Sequence, residues 1–278
     1  MLAACRPTQV IQTPQLFLPT IVVPQVTLTQ TTIPTPTPSP DCKRQSGQVL
    51  HPILNTPLLP KPLQYSLYLP PCYSQTPAAK LPLLILFHGQ GSSDDQWLRL
   101  GVAQTADRLI AAGEIPPLVI ALPYEEYSLQ DPTESSFSKG VMQALLPNLQ
   151  KIYSLCTQRT CLALGGLSRG AAWAVRLGIT NPAQVGFIGA HSLAPFWGED
   201  QRLRLWIKSI PADQIPRVYQ DLGKQDRYLK AALEFEASLT RYGVPHELHS
   251  FTGEHDETYW AAHIEDYLRW YGSQLSAK

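Results

Sequence analysis

The sequence predicts an α/β fold, with one domain built on a mostly parallel central sheet covered by helices on both faces and a proline- and threonine-rich tether before it. Three observations predict it. Short continuous apolar runs read as strands buried on both faces, helical periodicities alternate with them, and the composition changes abruptly near the start of the chain.

The change of composition sets the domain limits. The chain has 278 residues, 44% hydrophobic and 16% charged, enough to bury a sizeable core. Of its 26 prolines 16 lie at or before Pro82, whereas only one of its 17 glycines does. Through residue 40 the chain is mostly threonine, proline and glutamine, which offer little to bury and few backbone donors, so an extended tether is expected. The apolar patch at 16–23 is cut by Pro19 and is too short to span a bilayer. The expected division is 1–48 for the tether and 49–278 for the domain. The formal net charge is zero and no basic block occurs, which excludes the electrostatic footprint of a nucleic-acid binder.

The five cysteines are Cys5, Cys42, Cys72, Cys156 and Cys161, and no two have CxxC spacing. The opening "MLAAC" resembles the lipobox of bacterial lipoproteins, in which the cysteine is lipidated. A signal peptide also needs a charged and an apolar region ahead of that box, so a start codon upstream of Met1 is expected. The implied location is the outer face of a bacterial membrane, with a lipid on Cys5 as the membrane contact. In an exported protein the other four cysteines are free to pair, Cys42 with Cys72 and Cys156 with Cys161 being the sequence-local options. Buried or free thiols are the alternative.

Along the domain, "LQYSLYL" (63–69) alternates with period two and "LPLLILF" (81–87) is continuously apolar, so both read as strands. "WLRLGVAQTADRLIAAG" (97–113) has helical spacing and ends on Gly113, a C-cap residue. A second buried strand at 118–122 leads through a polar, aromatic loop to a helix near 137–155. A third, at 161–166, precedes a helix that starts after Ser168 and runs to about 179. Further strands are expected at 185–192, 217–222 and 246–251, and further helices near 228–242 and 258–275. Ligands of such a sheet sit at the C-terminal ends of its strands.

Four segments follow expected strands: "HGQG", "GLSRG", "GKQD" and "GEHD". In the second, Ser168 lies between Gly166 and Gly170, the spacing that relieves crowding where a strand turns sharply into a helix. A serine hydroxyl needs a base within reach and a third group to orient that base. His255 lies after the last strand, where a base can reach the strand ends, and its imidazole suits proton transfer near neutrality. His246 and His249 fall in a strand and His263 in a helix, and "HELH" is not a zinc motif, so no metal is expected. His191 ends a strand, either packed and hydrogen-bonded or lining the cleft. For the acid, Asp226 lies beyond its strand and Asp221 is still close to it, which favours Asp226. Asp256 is expected to cap the last helix. Oxyanion stabilisation calls for two fixed N–H donors, Arg169 after the serine and Gln90 in the turn after the strand at 81–87. His88, ahead of that turn, is expected to be structural.

Together, "LILFHGQGSSDDQW", "GLSRGAAWAV" and "GKQDRYLKAALEFEASLTRYGVPHELHSFTGEHDETYW" resemble the esterase branch of the α/β-hydrolase superfamily, with esterase D, feruloyl and acetylxylan esterases and polyhydroxyalkanoate depolymerases. The likeness spans roughly 63–275 and rests on the order nucleophile, acid, base. It implies Ser168, Asp226 and His255 as a triad and Gln90 and Arg169 as oxyanion donors. It further implies hydrolysis of a small-molecule or polysaccharide-linked carboxylic ester through an acyl-Ser168 intermediate, without metal or organic cofactor. Arg169 stands where methionine or glutamine is often found, which leaves the donor intact because it is backbone. Tyr124, Tyr127, Phe196 and Trp197, in two loops, offer an aromatic wall for substrate or else cover the core. Acyl transfer by the same triad and a non-catalytic wall-binding protein are the alternatives.

Overall fold

The computed structural model describes residues 45–73 and 80–275, so Cys5, Cys42 and most of the expected tether lie outside the described residues. Nine strands form one mixed sheet. They are β1 (Gln48–Leu50), β2 (Ile53–Leu54), β3 (Leu63–Leu69), β4 (Leu83–Phe87), β5 (Val119–Pro123), β6 (Leu162–Leu167), β7 (Phe187–His191), β8 (Arg217–Gly223) and β9 (His246–Phe251). The order is β1-β3-β5-β4-β6-β7-β8-β9, with β2 also paired to β3. The strands from β5 across to β9 run parallel, and β1, β2 and β3 pair antiparallel at one end. The expected mostly parallel sheet is therefore present. The short β1 and β2 carry too few residues to show a period in the sequence.

The continuous apolar strands are buried on both faces because each face meets helices. In β4, Leu83, Ile85 and Phe87 enter one core cluster and Leu84 and Leu86 the other, the period of two that a pleated strand imposes. The first cluster is closed by α3 (Phe137–Lys139), α4 (Leu146–Ile152), α5 (Arg169–Thr180), α6 (Asp200–Ser209) and α7 (Leu229–Arg241). The second is closed by α1 (Gln96–Arg99), α2 (Val102–Ala112) and α8 (Glu257–Gln274).

Two expectations need correction. The single helix expected over 97–113 is two helices, because Gly101 takes φ +92° and breaks the run between α1 and α2. Gly113 does cap α2 in the left-handed conformation, φ +76°. The loop expected after Trp197 contains α6, whose Leu203, Trp206 and Ile207 pack on the core at the three- and four-residue spacing of an amphipathic helix. A π-helical turn, Gly140–Leu145, also joins α3 to α4 within the helix expected near 137–155.

The topology places the site. From β4 the chain goes to β5 on one side and then returns past β4 to β6 on the other, so the direction of winding reverses at β4. A crevice opens beyond the C-terminal ends of adjacent strands at such a reversal. The turn after β4 and the start of α5 after β6 both face it.

Candidate active site

Ser168 connects β6 to α5 with φ +56° and ψ −121°, a backbone conformation that costs free energy for any residue with a Cβ. Its surroundings leave little choice. A Cβ on Gly166 would stand 2.3 Å from the Gly170 carbonyl, and one on Gly170 would stand 2.2 Å from the Phe87 oxygen. The two glycines thus let α5 start tight against β4 and β6, which lifts Ser168 above the strand ends. The Ser168 N–H donates to His191 O at 2.9 Å, and Ala194 N–H donates to Ser168 O at 3.3 Å, tying the turn to the exit of β7.

The side chains of three elements meet here. His255 Nε2 lies 2.8 Å from Ser168 Oγ, and His255 Nδ1 lies 3.0 and 2.9 Å from the two Asp226 oxygens. A carboxylate can only accept, so Nδ1 carries the proton and Nε2 is free to accept from the serine hydroxyl. Asp226 also takes the Tyr228 N–H at 2.7 Å. Burial works to raise the Asp226 pKa, but hydrogen bonds from His255 and the Tyr228 N–H outweigh it and hold the carboxyl below its ordinary value. Tyr228 and Trp260 pack edge-on against the His255 ring, at 4.8 and 5.1 Å between centroids. Asp256 caps α8 by accepting the Tyr259 N–H at 2.9 Å, which fixes the loop carrying His255.

Asp221, the other carboxylate near the end of β8, has a different partner. It is fully buried, lies 2.7 Å from His191 Nδ1, and accepts from the hydroxyls of Tyr259 and Tyr267 at 2.8 Å each. His191 is thus packed and hydrogen-bonded rather than lining the cleft. Neither the Gln90 nor the Arg169 N–H donates a hydrogen bond within the described residues. Both residues line the cleft that holds Ser168 and His255, about 490 Å³ in volume.

The substrate candidates separate into two groups. Phe196 and Trp197 line the cleft beside Ser168. Phe196 is buried against Trp173, at 4.9 Å between rings, whereas Trp197 is 99% exposed at the rim. Tyr124 and Tyr127 line a neighbouring groove of about 710 Å³, which meets the cleft at Leu129 and Gln130. Gln96, Arg227, Tyr228 and Trp260 also line the cleft and were not picked out from the sequence. Arg227 and Tyr228 adjoin Asp226 in "QDRY", the signal that was there to use. Gln96 gave none.

Cys156 and Cys161 form a disulfide just before β6, one of the two local pairings expected. Among the described residues no three His, Cys, Asp or Glu side chains are grouped so as to hold a metal ion.

Residues 57–271 match the sequence pattern of a family described as "Putative esterase". An uncharacterized protein of Corynebacterium glutamicum is 33% identical over 142 residues, which is 48% of this chain and 32% of that relative. The match thus spans about a third of the relative's length. Among solved structures, a ferulic acid esterase is similar with a TM-score of 0.75 at 22% identity, over 83% of this chain and 99% of that one. S-formylglutathione hydrolase from Staphylococcus aureus is similar with a TM-score of 0.65 at 19% identity, over 82% and 98% of the two chains. At these identities the likeness to solved structures is one of fold.

Proposed function

Since the chain belongs to this esterase family, we propose that it is a carboxylesterase-type hydrolase that cleaves its ester in two steps through an acyl group on Ser168. The observation that carries the reading is the continuous line from Ser168 Oγ through His255 to Asp226, with contacts of 2.8, 2.9 and 3.0 Å. His255 takes the serine proton as Oγ attacks the carbonyl, then returns it to the departing alcohol. Asp226 keeps the imidazole in the required tautomer and balances its charge. The carbonyl oxygen, now negative, receives the N–H groups of Gln90 and Arg169. Water activated by the same histidine then releases the acid and restores the serine.

The substrate we propose is an ester of an aromatic or short acyl group on a small alcohol or a polysaccharide. The similarity to a ferulic acid esterase fold and the aromatic lining at Phe196, Trp197, Tyr228 and Trp260 support that choice. Turnover of short acyl, feruloyl and acetyl-sugar esters tests it, with Ser168→Ala as the reference. The variant is expected to lose activity by about three orders of magnitude or more. Retained turnover would show that Ser168 is not the nucleophile.

We also propose that the protein is exported and anchored through a lipid on Cys5. The lipobox-like opening supports this, as does the Cys156–Cys161 disulfide, a bond that persists in oxidising compartments. Expression from the native chromosomal locus, with membrane fractionation of wild type and Cys5→Ser, checks the proposal. Equal solubility of the two forms would reject it.

A further inference from the structure

Both proposed oxyanion donors lead back to one buried run of hydrogen bonds outside the triad. The backbone of Gly89 is held at both of its polar atoms. Gly89 N–H donates to Gln96 Oε1 at 2.8 Å, and Gly89 O lies 2.7 Å from His88 Nδ1. In a trans peptide the C=O and N–H point opposite ways, and the described chain has no cis bonds. A ring that fixes the Gly89 oxygen therefore also aims the Gln90 N–H.

The protonation of His88 follows from its partners. A carbonyl oxygen only accepts, so Nδ1 bears the hydrogen. Nε2 must then accept, and the Glu125 N–H donates to it at 2.8 Å. Burial holds the His88 pKa below its ordinary value, in keeping with a neutral ring. The run continues through Glu125, whose carboxylate is 3% exposed and receives Arg169 Nε at 2.9 Å and Nη2 at 2.8 Å. This two-armed geometry fixes direction as well as distance. The Arg169 backbone N–H is the second proposed donor. Arg169, which stands where methionine or glutamine is often found, thus holds Glu125 with its side chain while its backbone N–H faces the cleft.

We infer that His88 and Glu125 are positioning residues that hold the Gln90 and Arg169 N–H donors in one hydrogen-bonded circuit, setting the spacing of the oxyanion site. The inference rests on the proposed acyl transfer at Ser168. Donors fixed before charge develops need no reorganisation during reaction, and that is where their catalytic value lies. A misaimed donor should therefore lower kcat with little change in KM.

The test uses the purified enzyme with p-nitrophenyl acetate and with an arylboronic acid, whose tetrahedral adduct on serine places an oxygen in the oxyanion site. His88→Gln can still accept from the Glu125 N–H but does not reproduce the bond to Gly89 O. Its kcat is expected to fall roughly tenfold to a hundredfold, less than the 10²–10³ typical for complete loss of a donor. His88→Asn places an amide N–H near the former Nδ1 and is expected to restore most of that loss. Glu125→Gln, close to wild type in volume, is expected to lose about tenfold, so the inference stays testable if the buried His88 variants fold poorly. Boronic acid affinity should fall by the same factor as kcat/KM in each variant. Tyr271→Phe removes a buried hydrogen bond elsewhere and should lower Tm while leaving kcat unchanged. Wild-type kcat and boronic acid affinity in both His88→Gln and Glu125→Gln, with Ser168→Ala inactive, would overturn this inference alone. Surviving turnover in Ser168→Ala would overturn the acyl-transfer reading with it.

Discussion

Two aspartate–histidine pairs leave the end of β8, and their surroundings give them different work. Asp226 meets His255 Nδ1 at 2.9 Å, and Asp221 meets His191 Nδ1 at 2.7 Å. The remaining nitrogen separates them. His255 Nε2 faces the Ser168 hydroxyl at the wall of a cleft, whereas His191 Nε2 faces the Tyr271 hydroxyl, with both rings of that contact buried in the core. Asp221 receives two further tyrosine hydroxyls, and the His191 ring stacks on Tyr267 at 3.7 Å. An orienting carboxylate therefore makes a base only where the far nitrogen meets a nucleophile that substrate can reach. With every donor and acceptor matched inside the protein, the same pair is a clamp between β7, β8 and α8.

The largest expected effect tests the cleft pair. Asp226→Asn should lower kcat by about 10⁴ by favouring the wrong histidine tautomer, while Tm near pH 7 falls by only a few degrees. Asp221→Asn should reverse that pattern. Its kcat, measured well below Tm, should stay within a few-fold of wild type, while chemical denaturation shows a loss of about 3 kcal/mol from the broken buried network. If Asp221→Asn instead lost activity without stability, the two pairs would not be distinct in role.

Gly189 tests the clamp from the backbone side. A Cβ there would stand 1.7 Å from the Tyr271 hydroxyl, so Gly189→Ala must displace a buried ring. A loss of about 2–3 kcal/mol is expected by denaturant titration, in the range of overpacking. Combining Gly189→Ala with Tyr271→Phe should recover part of that loss, and full additivity would argue against the clash.

Opening the Cys156–Cys161 bridge should be milder. Its loop is short, so the chain-entropy contribution is about 2 kcal/mol, and a Cys156→Ser/Cys161→Ser form should melt several degrees lower with unchanged KM.

The smallest effect concerns pH. The folded Asp226 pKa lies below its unfolded value, so the group contributes stability above about pH 4, which is lost as pH falls through the folded value. The stability difference between wild type and Asp226→Asn should therefore shrink below that pH. A difference that stayed constant from pH 7 to pH 2 would contradict the assignment.

The strands were legible because a continuous apolar run such as "LLILF" states its burial locally and an alternation such as "LQYSLYL" states its period. The sharp turn at Ser168 was legible as well, since Gly166 and Gly170 answer crowding within five residues. The break at Gly101 was in view but unused, because glycine inside an apolar periodicity is tolerated as often as it ends a helix. In α6, Leu203, Trp206 and Ile207 carried helical spacing, yet the proline, tryptophan and glycine just before them suggested only a loop.

By itself the sequence determined the strands, the chain order of Ser168, Asp226 and His255, and the turn that presents Ser168, since these are read along the chain without knowing which elements meet. Only the tertiary structure decided that Asp226 faces His255 while Asp221 faces His191, and that His88, Glu125 and Arg169 join the turn after β4 to the start of α5. The reason is physical: those partners come from separate elements and meet only at the strand ends. Whether a buried polar group catalyses, positions or clamps depends on which donors and acceptors surround it there.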